Sequence, residues 1–446
     1  MAYTQNTPEE IREMLERIGA DSIDELFAPI PKSVRFRGDL NLERALSEPE
    51  ILRKMGEAAK LNSIPGEMPS FLGAGAYRHH IPSIIDNLAG RSEFATSYTP
   101  YQAEASQGNL QATYEYQTMI CEITGMDVSN ASHYDGATSA AESALMALGS
   151  TRRNRVLIPE TLHPDTRAVL HTYLDNRDAE PVDIPMKDGR TDLDALRERA
   201  TPEVAAIILQ TPNFLGLIEE AAEVSQIAHS AGALMIAAVD PISLGLLAPP
   251  GDYDADIAVG EGQPLGNPVS FGGPWFGFLA TRQKYVRRMP GRIVGETLDA
   301  DGRRAYVLTL QAREQHIRRA RATSNICTNQ GLCALRGAIY LTTIGKEGFR
   351  HVAELCLQKA HYAADAIQAK TPFRPRFEGP FFREFSIQGP VSAKECNQRL
   401  FDKGIIGGFD LGRVFPEEES SLLLSFTEMN TREEIDFLVS GLSEIS

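Results

Sequence analysis

Apolar residues recur at Ile11, Met14, Leu15 and Ile18, between Thr7-Pro8 and Gly19, a helical spacing with a capping residue at its start and a stop at its end. A second short helix is expected over Asp21 to Phe27, before Pro29-Ile30-Pro31 breaks the chain. From Asn62 to Gln107 periodicity gives way to Gly, Pro, Tyr, Ser and His, and the aromatics in that stretch argue against disorder. A helix from about Gly108 to Thr124, ended by Gly125, then opens a steady alternation. The runs 155–159, 182–185, 204–210, 233–240 and 256–259 read as buried strands, with amphipathic helices near 138–149, 164–174, 192–200 and 219–231. Near-continuous apolar strands separated by helices predict an α/β fold with a mainly parallel sheet covered on both faces. Around Arg282 the rhythm changes to long, Arg-rich helical sequence, and beyond Gly348 mixed signals, such as a strand at 422–426, suggest a smaller unit. The expected division is an N-terminal helical and extended arm (1–107), a large α/β domain (108–345) and a small α+β C-terminal domain (346–446).

Composition narrows the function classes. The chain has 446 residues, 42% of them apolar and 23% charged, as in ordinary globular proteins. Its longest apolar stretch, Ala231 to Val239, is about half of a membrane span. A net charge of −16 disfavours nucleic acid and anionic lipid as partners. The five cysteines (Cys121, Cys327, Cys333, Cys356, Cys396) are scattered without a CxxC pair, so neither a disulfide framework nor a zinc cage is expected. Glu9, Glu10, Glu13 and Glu16 stand where an export signal would need basic charge, and a cytoplasmic setting with reduced thiols is the expectation.

Three features carry candidate chemistry. Gly136 and Thr138, in the run from Ser132 to Ser139, open a helix rich in small residues, where free N–H groups and the positive dipole end suit a phosphate. Hydroxyl residues also cap helices that bind nothing. Asp240 ends a wholly apolar strand, at the edge where open α/β sheets bind ligands, although the same carboxylate can simply cap the following turn. His163 follows another strand and is equally compatible with a structural hydrogen bond. In this order, the three resemble a pyridoxal-phosphate enzyme of the aspartate-aminotransferase fold, whose pattern calls for a cofactor lysine some 20–30 residues after the Asp. No lysine lies between Lys187 and Lys284, and the run from Val259 to Gly266 carries Gln263 instead.

Four segments resemble the glycine cleavage system P-protein (glycine decarboxylase) family, and specifically its separate first subunit where the enzyme is split in two. They are Tyr98-Thr99-Pro100-Tyr101-Gln102 with Glu104 and Ser106-Gln107-Gly108; Tyr134-Asp135-Gly136-Ala137-Thr138; Gly260-Glu261-Gly262-Gln263-Pro264-Leu265-Gly266 with Ser270-Phe271-Gly272-Gly273-Pro274; and Arg313 to Arg319 with Ala322 to Thr328. The match spans nearly the whole chain, and Ala103 and Ala105 depart from the Pro and β-branched residue common in the family. The resemblance implies a fold-type I transferase-like large domain with a smaller C-terminal domain. It implies a second, beta subunit that holds pyridoxal phosphate on its own lysine in an α2β2 assembly. It also implies decarboxylation of glycine with transfer of the aminomethyl group to the lipoyl arm of the H-protein.

On that basis Tyr98, Tyr101, Glu104 and Gln107 are expected to serve the partner's active site across the interface, while Gly136, Thr138, His163, Asp240 and Gln263 mark a relic cofactor site and no metal is expected. Two other readings compete: a scaffold that only stabilises its partner, and a self-sufficient enzyme using Lys284 or Lys346. Arg313, Arg318, Arg319 and Arg321 read either as a solvated helix face or as an entry lip for an acidic lipoyl carrier.

Overall fold

A computed structural model describes residues 5–36, 38, 40–322, 324–326 and 328–445. Thr323 and Cys327 of the fourth family segment lie outside the described residues. The chain divides into two compact units, Met1–Ser63 and Ile64–Ser446. In the first, α1 (Pro8–Ile18) starts on a capping box in which Thr7 and Glu10 bond each other's backbone N–H, and Gly19 closes it with φ 74°. The helix expected at 21–27 is only a 3₁₀ turn, Glu25–Phe27, and the next helix is α2 (Glu48–Ala59). None of these elements buries a residue.

In the second unit, the stretch read as aperiodic contains α3 (Ser83–Ala89) and α4 (Ser92–Ala95), too short to show a period. Helix α5 (Gln107–Thr124) ends at Gly125 as expected. The main sheet takes β1 (Val128–Ser129), β2 (Arg155–Pro159) and β3 (Glu180–Ile184), skips the two-residue hairpin β4 (Met186–Lys187) with β5 (Arg190–Thr191), and continues through β6 (Val204–Thr211), β7 (Leu234–Val239), β8 (Ile257–Glu261) and β9 (Gly277–Thr281). Its order is β1-β9-β8-β7-β6-β2-β3, with β3, β2, β6, β7 and β8 parallel, β9 antiparallel to β8, and β1 antiparallel to β9 and so running with the parallel strands. Apolar side chains of β6 and β7 are buried on both faces, each large one stabilising the fold by about 1.5–3 kcal/mol. One face is covered by α6 (Gly136–Thr151) and α7 (Pro164–Leu174), the other by α8 (Leu193–Arg199) and α9 (Ala221–Ser230). Helix α6 lies close because it presents Ala140, Ala141, Ala144 and Ala147, and a Cβ on Gly277 would sit 2.0 Å from the Asp135 carbonyl.

Among the described residues, the stretch after Arg282 expected to be long, Arg-rich helix is not α-helical until Gln315. A 3₁₀ segment, Gln283–Arg288, leads into a hairpin of β10 (Ile293–Leu298) and β11 (Arg304–Thr309), with Gly302 at φ 77° in its turn. Val294, Tyr306 and Leu308 bury against Leu110 of α5, a strand alternation that the interspersed arginines obscure. After the four-residue α10 (Gln315–Arg318), helix α11 (Gly331–Lys370) bends at Gly345, runs across position 345/346 and reaches both cores. A four-stranded antiparallel sheet then joins β12 (Arg374–Pro375), β13 (Glu384–Gln388), β14 (Phe409–Asp410) and β15 (Ser421–Ser425), packed on α12 (Ala393–Asp402) and α13 (Arg432–Ser443). Phe71 belongs to that core, donating its N–H to the Ile406 carbonyl at 3.0 Å.

Candidate active site

The carboxyl ends of β2, β6, β7 and β8 open on a cavity of about 580 Å³, closed from above by residues 74–77 and by Phe382-Arg383-Glu384 entering β13. This is the crevice where open parallel sheets hold ligands. Gly136, His163 and Asp240 line it; Thr138 and Gln263 are buried beside it.

At the start of α6 the amides that would meet a phosphate face carboxylates instead. Thr138 donates its N–H to Asp135 Oδ1 at 2.6 Å, and Gly136 donates its N–H to Glu261 Oε2 at 2.9 Å. Burial pushes the Glu261 carboxyl up to about 8, with Asp135 adding to the rise against hydrogen bonds from Gly136 and Gln263. His163 is tied on both ring nitrogens: Nε2 lies 3.0 Å from the Ala74 carbonyl, and Nδ1 accepts from the Asp165 N–H at 3.1 Å. Its ring meets Phe214 edge-on, centroids 5.1 Å apart. Asp240 caps its own turn through the Ile242 N–H at 3.1 Å, and its other oxygen lies 2.7 Å from Arg383 Nη2.

Arg383, missed by pattern reading, organises this edge. It is buried, sits 3.4 Å from the centroid of the Tyr77 ring, and reaches His79 Nε2 at 2.5 Å. His79 Nδ1 in turn lies 2.7 Å from Glu428. Burial opposes ionisation of Glu428, but His79 and the His80 N–H hold its carboxyl down to about 2. The signal that could have found Arg383 is a charged pair, Arg383-Glu384, inside the apolar run from Phe381 to Ile387.

Gln263, the residue expected where the lysine pattern falls, has its amide used three times. Nε2 donates to the carbonyls of Tyr77 (2.9 Å) and Asn267 (2.8 Å), and Oε1 accepts the Tyr77 N–H at 2.9 Å. Lys284 pairs with Asp256 at 3.1 Å, at the opposite, amino end of β8, and Lys346 is exposed on α11. The residues present therefore do not fit pyridoxal phosphate. No lysine reaches the cavity, the phosphate amides face carboxylates, and the strand-end aspartate is paired with an arginine.

A second region has the opposite character. Tyr98 is 80% exposed, and Tyr101 and Glu104 are exposed too. Tyr101 Oη accepts from Arg292 Nη2 at 3.2 Å, and its ring meets His316 edge-on. Gln107 is not an open polar group: its amide donates to the carbonyls of Ala103 and Tyr306, both at 2.8 Å, and accepts the Tyr306 N–H at 2.9 Å, clamping β11. The arginines divide as well. Arg313 is half-buried and donates to the carbonyls of Gly291 and Leu310, whereas Arg318, Arg319 and Arg321 are exposed.

Comparison with known proteins settles the family. A family model of the glycine cleavage system P-protein matches residues 1–442. The chain belongs to the glycine cleavage system P-protein family. It is 54% identical, over all of both chains, to a protein of Moorella thermoacetica named probable glycine dehydrogenase (decarboxylating) subunit 1. It also matches, at 46% identity, a TM-score of 0.92 and full coverage of both chains, a crystal structure of a glycine decarboxylase (P-protein) of the glycine cleavage system in inhibitor-bound form. A cysteine desulfurase of Thermococcus onnurineus superposes over 90% of this chain and 99% of its own at a TM-score of 0.62 and 17% identity, a likeness of fold alone. The P-protein chain thus has the α/β architecture expected from its strand and helix order and the fold-type I, aspartate-aminotransferase-like form that the resemblance implied. Among the described residues no helix is long and apolar enough to cross a membrane.

Proposed function

We propose that this chain is the lysine-free subunit of a split glycine decarboxylase, acting in glycine cleavage only together with a second subunit that holds pyridoxal phosphate. Membership of the P-protein family over residues 1–442 supports the glycine cleavage role, and the relative named subunit 1 supports a two-chain enzyme. The observation that carries the division of labour is the clamped Gln263 amide, which is neither nucleophilic nor free. The finer reading is an α2β2 assembly in the cytoplasm that decarboxylates glycine and passes the aminomethyl group to a lipoyl H-protein.

Within that assembly, Tyr98, Tyr101 and Glu104 form the edge turned toward the partner's site. The two phenols are placed to donate hydrogen bonds to an oxygen of the bound substrate, and Glu104 to hold or release a proton near its amino group. Gln107 keeps the edge in place by fixing β11. The test is spectroscopic. Supplied with pyridoxal phosphate, the isolated chain is expected to show no borohydride-reducible chromophore and no exchange of labelled CO₂ into glycine, and activity is expected to appear on adding the second subunit. A reducible chromophore on the isolated chain would overturn the reading.

A further inference from the structure

Behind Tyr98 lies a second, smaller cavity of about 110 Å³, lined among others by Ser97, Tyr98, Asn109, Thr113, Arg292 and Asn329. One water needs roughly 10–15 Å³ of such space, so this cavity holds a ligand of a few heavy atoms and not a whole pyridine cofactor. Arg292, 5% exposed, is its charged group. One nitrogen is engaged by Tyr101, but Nε and Nη1 find no hydrogen-bond acceptor among the described residues. Glu314 approaches Nε only to 3.6 Å, an ion-pair distance beyond hydrogen bonding.

The buried Arg292 guanidinium therefore has one carboxylate near it, Glu314, which lies beyond hydrogen-bond distance and is also approached by His316 at 3.5 Å, in a chain whose net charge is −16. A guanidinium kept from water without an acceptor is costly, and the arrangement is relieved by a bound anion. We propose that this cavity is a binding site for a small carboxylate, held by Arg292. The oxygens of a carboxylate suit the two unpaired donors of the Arg292 guanidinium, and Phe94, Val294 and Leu335 on the remaining wall accept a short carbon stub. The site belongs to this chain alone and stands whether or not the Tyr98–Glu104 edge serves a partner.

The test is calorimetric titration of the full chain, at low ionic strength, with acetate, glycine and inorganic phosphate. Saturable binding of the two carboxylates is expected, weakened ten-fold or more in Arg292→Gln. Ala112→Phe, which fills the cavity from α5 and leaves the guanidinium in place, is expected to abolish it, and decides the matter should Arg292→Gln fail to fold. Absence of saturable carboxylate binding up to tens of millimolar, tighter binding of phosphate than of either carboxylate, or unchanged binding in Ala112→Phe would overturn the proposal. Failure of the partner-facing edge has a different signature: Tyr98→Phe would keep the parental decarboxylation rate while carboxylate binding persisted.

Discussion

The sheet-edge cavity and the Tyr98–Arg292 edge are both lined with polar groups, but they treat them differently. At the sheet edge the groups close on one another within the chain: Asp240 on Arg383, Arg383 on His79, His79 on Glu428, Gly136 on Glu261, Gln263 on Tyr77. At the other edge two tyrosines are exposed, and the difference between the two buried arginines lies in their carboxylates: Arg383 has Asp240 at 2.7 Å, whereas Glu314 comes no nearer to Arg292 than 3.6 Å. A crevice at the usual ligand position thus carries less evidence of a ligand than a modest cavity beside a loop. The difference teaches that position in a fold and availability of donors are separate questions. Hydrogen bonds made within the chain must be broken before a ligand can use the same atoms.

The sharpest attempt to break that contrast is Gln263→Lys. A lysine there would bury an ammonium where an amide now serves two carbonyls and one N–H, and the phosphate position would still face Asp135 and Glu261. Loss of about 3 kcal/mol of stability is expected in chemical denaturation, with no chromophore on adding pyridoxal phosphate. A folded variant with a reducible chromophore would show that the lysine alone was missing. At the other edge, Tyr98→Phe, Tyr101→Phe and Glu104→Gln are expected to leave assembly intact and cut glycine decarboxylation by ten-fold or more, about 1.4 kcal/mol per decade. Three variants at the parental rate would reduce the edge to packing.

Glu261→Gln sharpens the comparison through pH. Because the folded-state carboxyl is raised to about 8, from an ordinary value near 4.5, folding favours its protonated form. That contribution is full below about 4.5 and is lost as pH rises through about 8. The parent is therefore expected to lose up to about 4 kcal/mol relative to Glu261→Gln between pH 5 and 9, at about 1.4 kcal/mol per pH unit up to pH 8, read from paired denaturation curves. Parallel curves would place Glu261 in water and reopen the amide of Gly136. The smallest effect concerns the exposed arginines. Arg318→Ala with Arg319→Ala is expected to slow turnover with the lipoyl carrier a few-fold at low salt and to flatten its salt dependence. Identical salt profiles would leave them a solvated surface.

Much of the fold was legible because its elements announce themselves locally. Thr7-Pro8 and Gly19 bound α1, Gly125 ends α5, and the apolar runs at 155–159 and 234–239 are strands wherever they are placed. The β10–β11 hairpin was hidden because arginines on its neighbours mask an alternation only a few residues long, and α3 and α4 because they span barely more than a turn or two. Gly136, Thr138, His163, Asp240 and Gln263 do gather at one sheet edge. Gln107, in contrast, stands in register with Tyr98, Tyr101 and Glu104 along the chain yet spends its amide on β11.

What the sequence determined by itself is what short-range chemistry controls: the caps, the alternation of strand and helix, and the absence of any lysine between Lys187 and Lys284. Whether a polar group is open or taken was decided only by the tertiary structure. The partners of Gln263, Asp240 and Arg292 lie 186, 143 and 191 positions away, at Tyr77, Arg383 and Tyr101. Hydrogen bonds act over about 3 Å and ignore separation along the chain. No local pattern records which distant atom will fill that distance, and the packing of the two cores around the cavity is what brings each pair together.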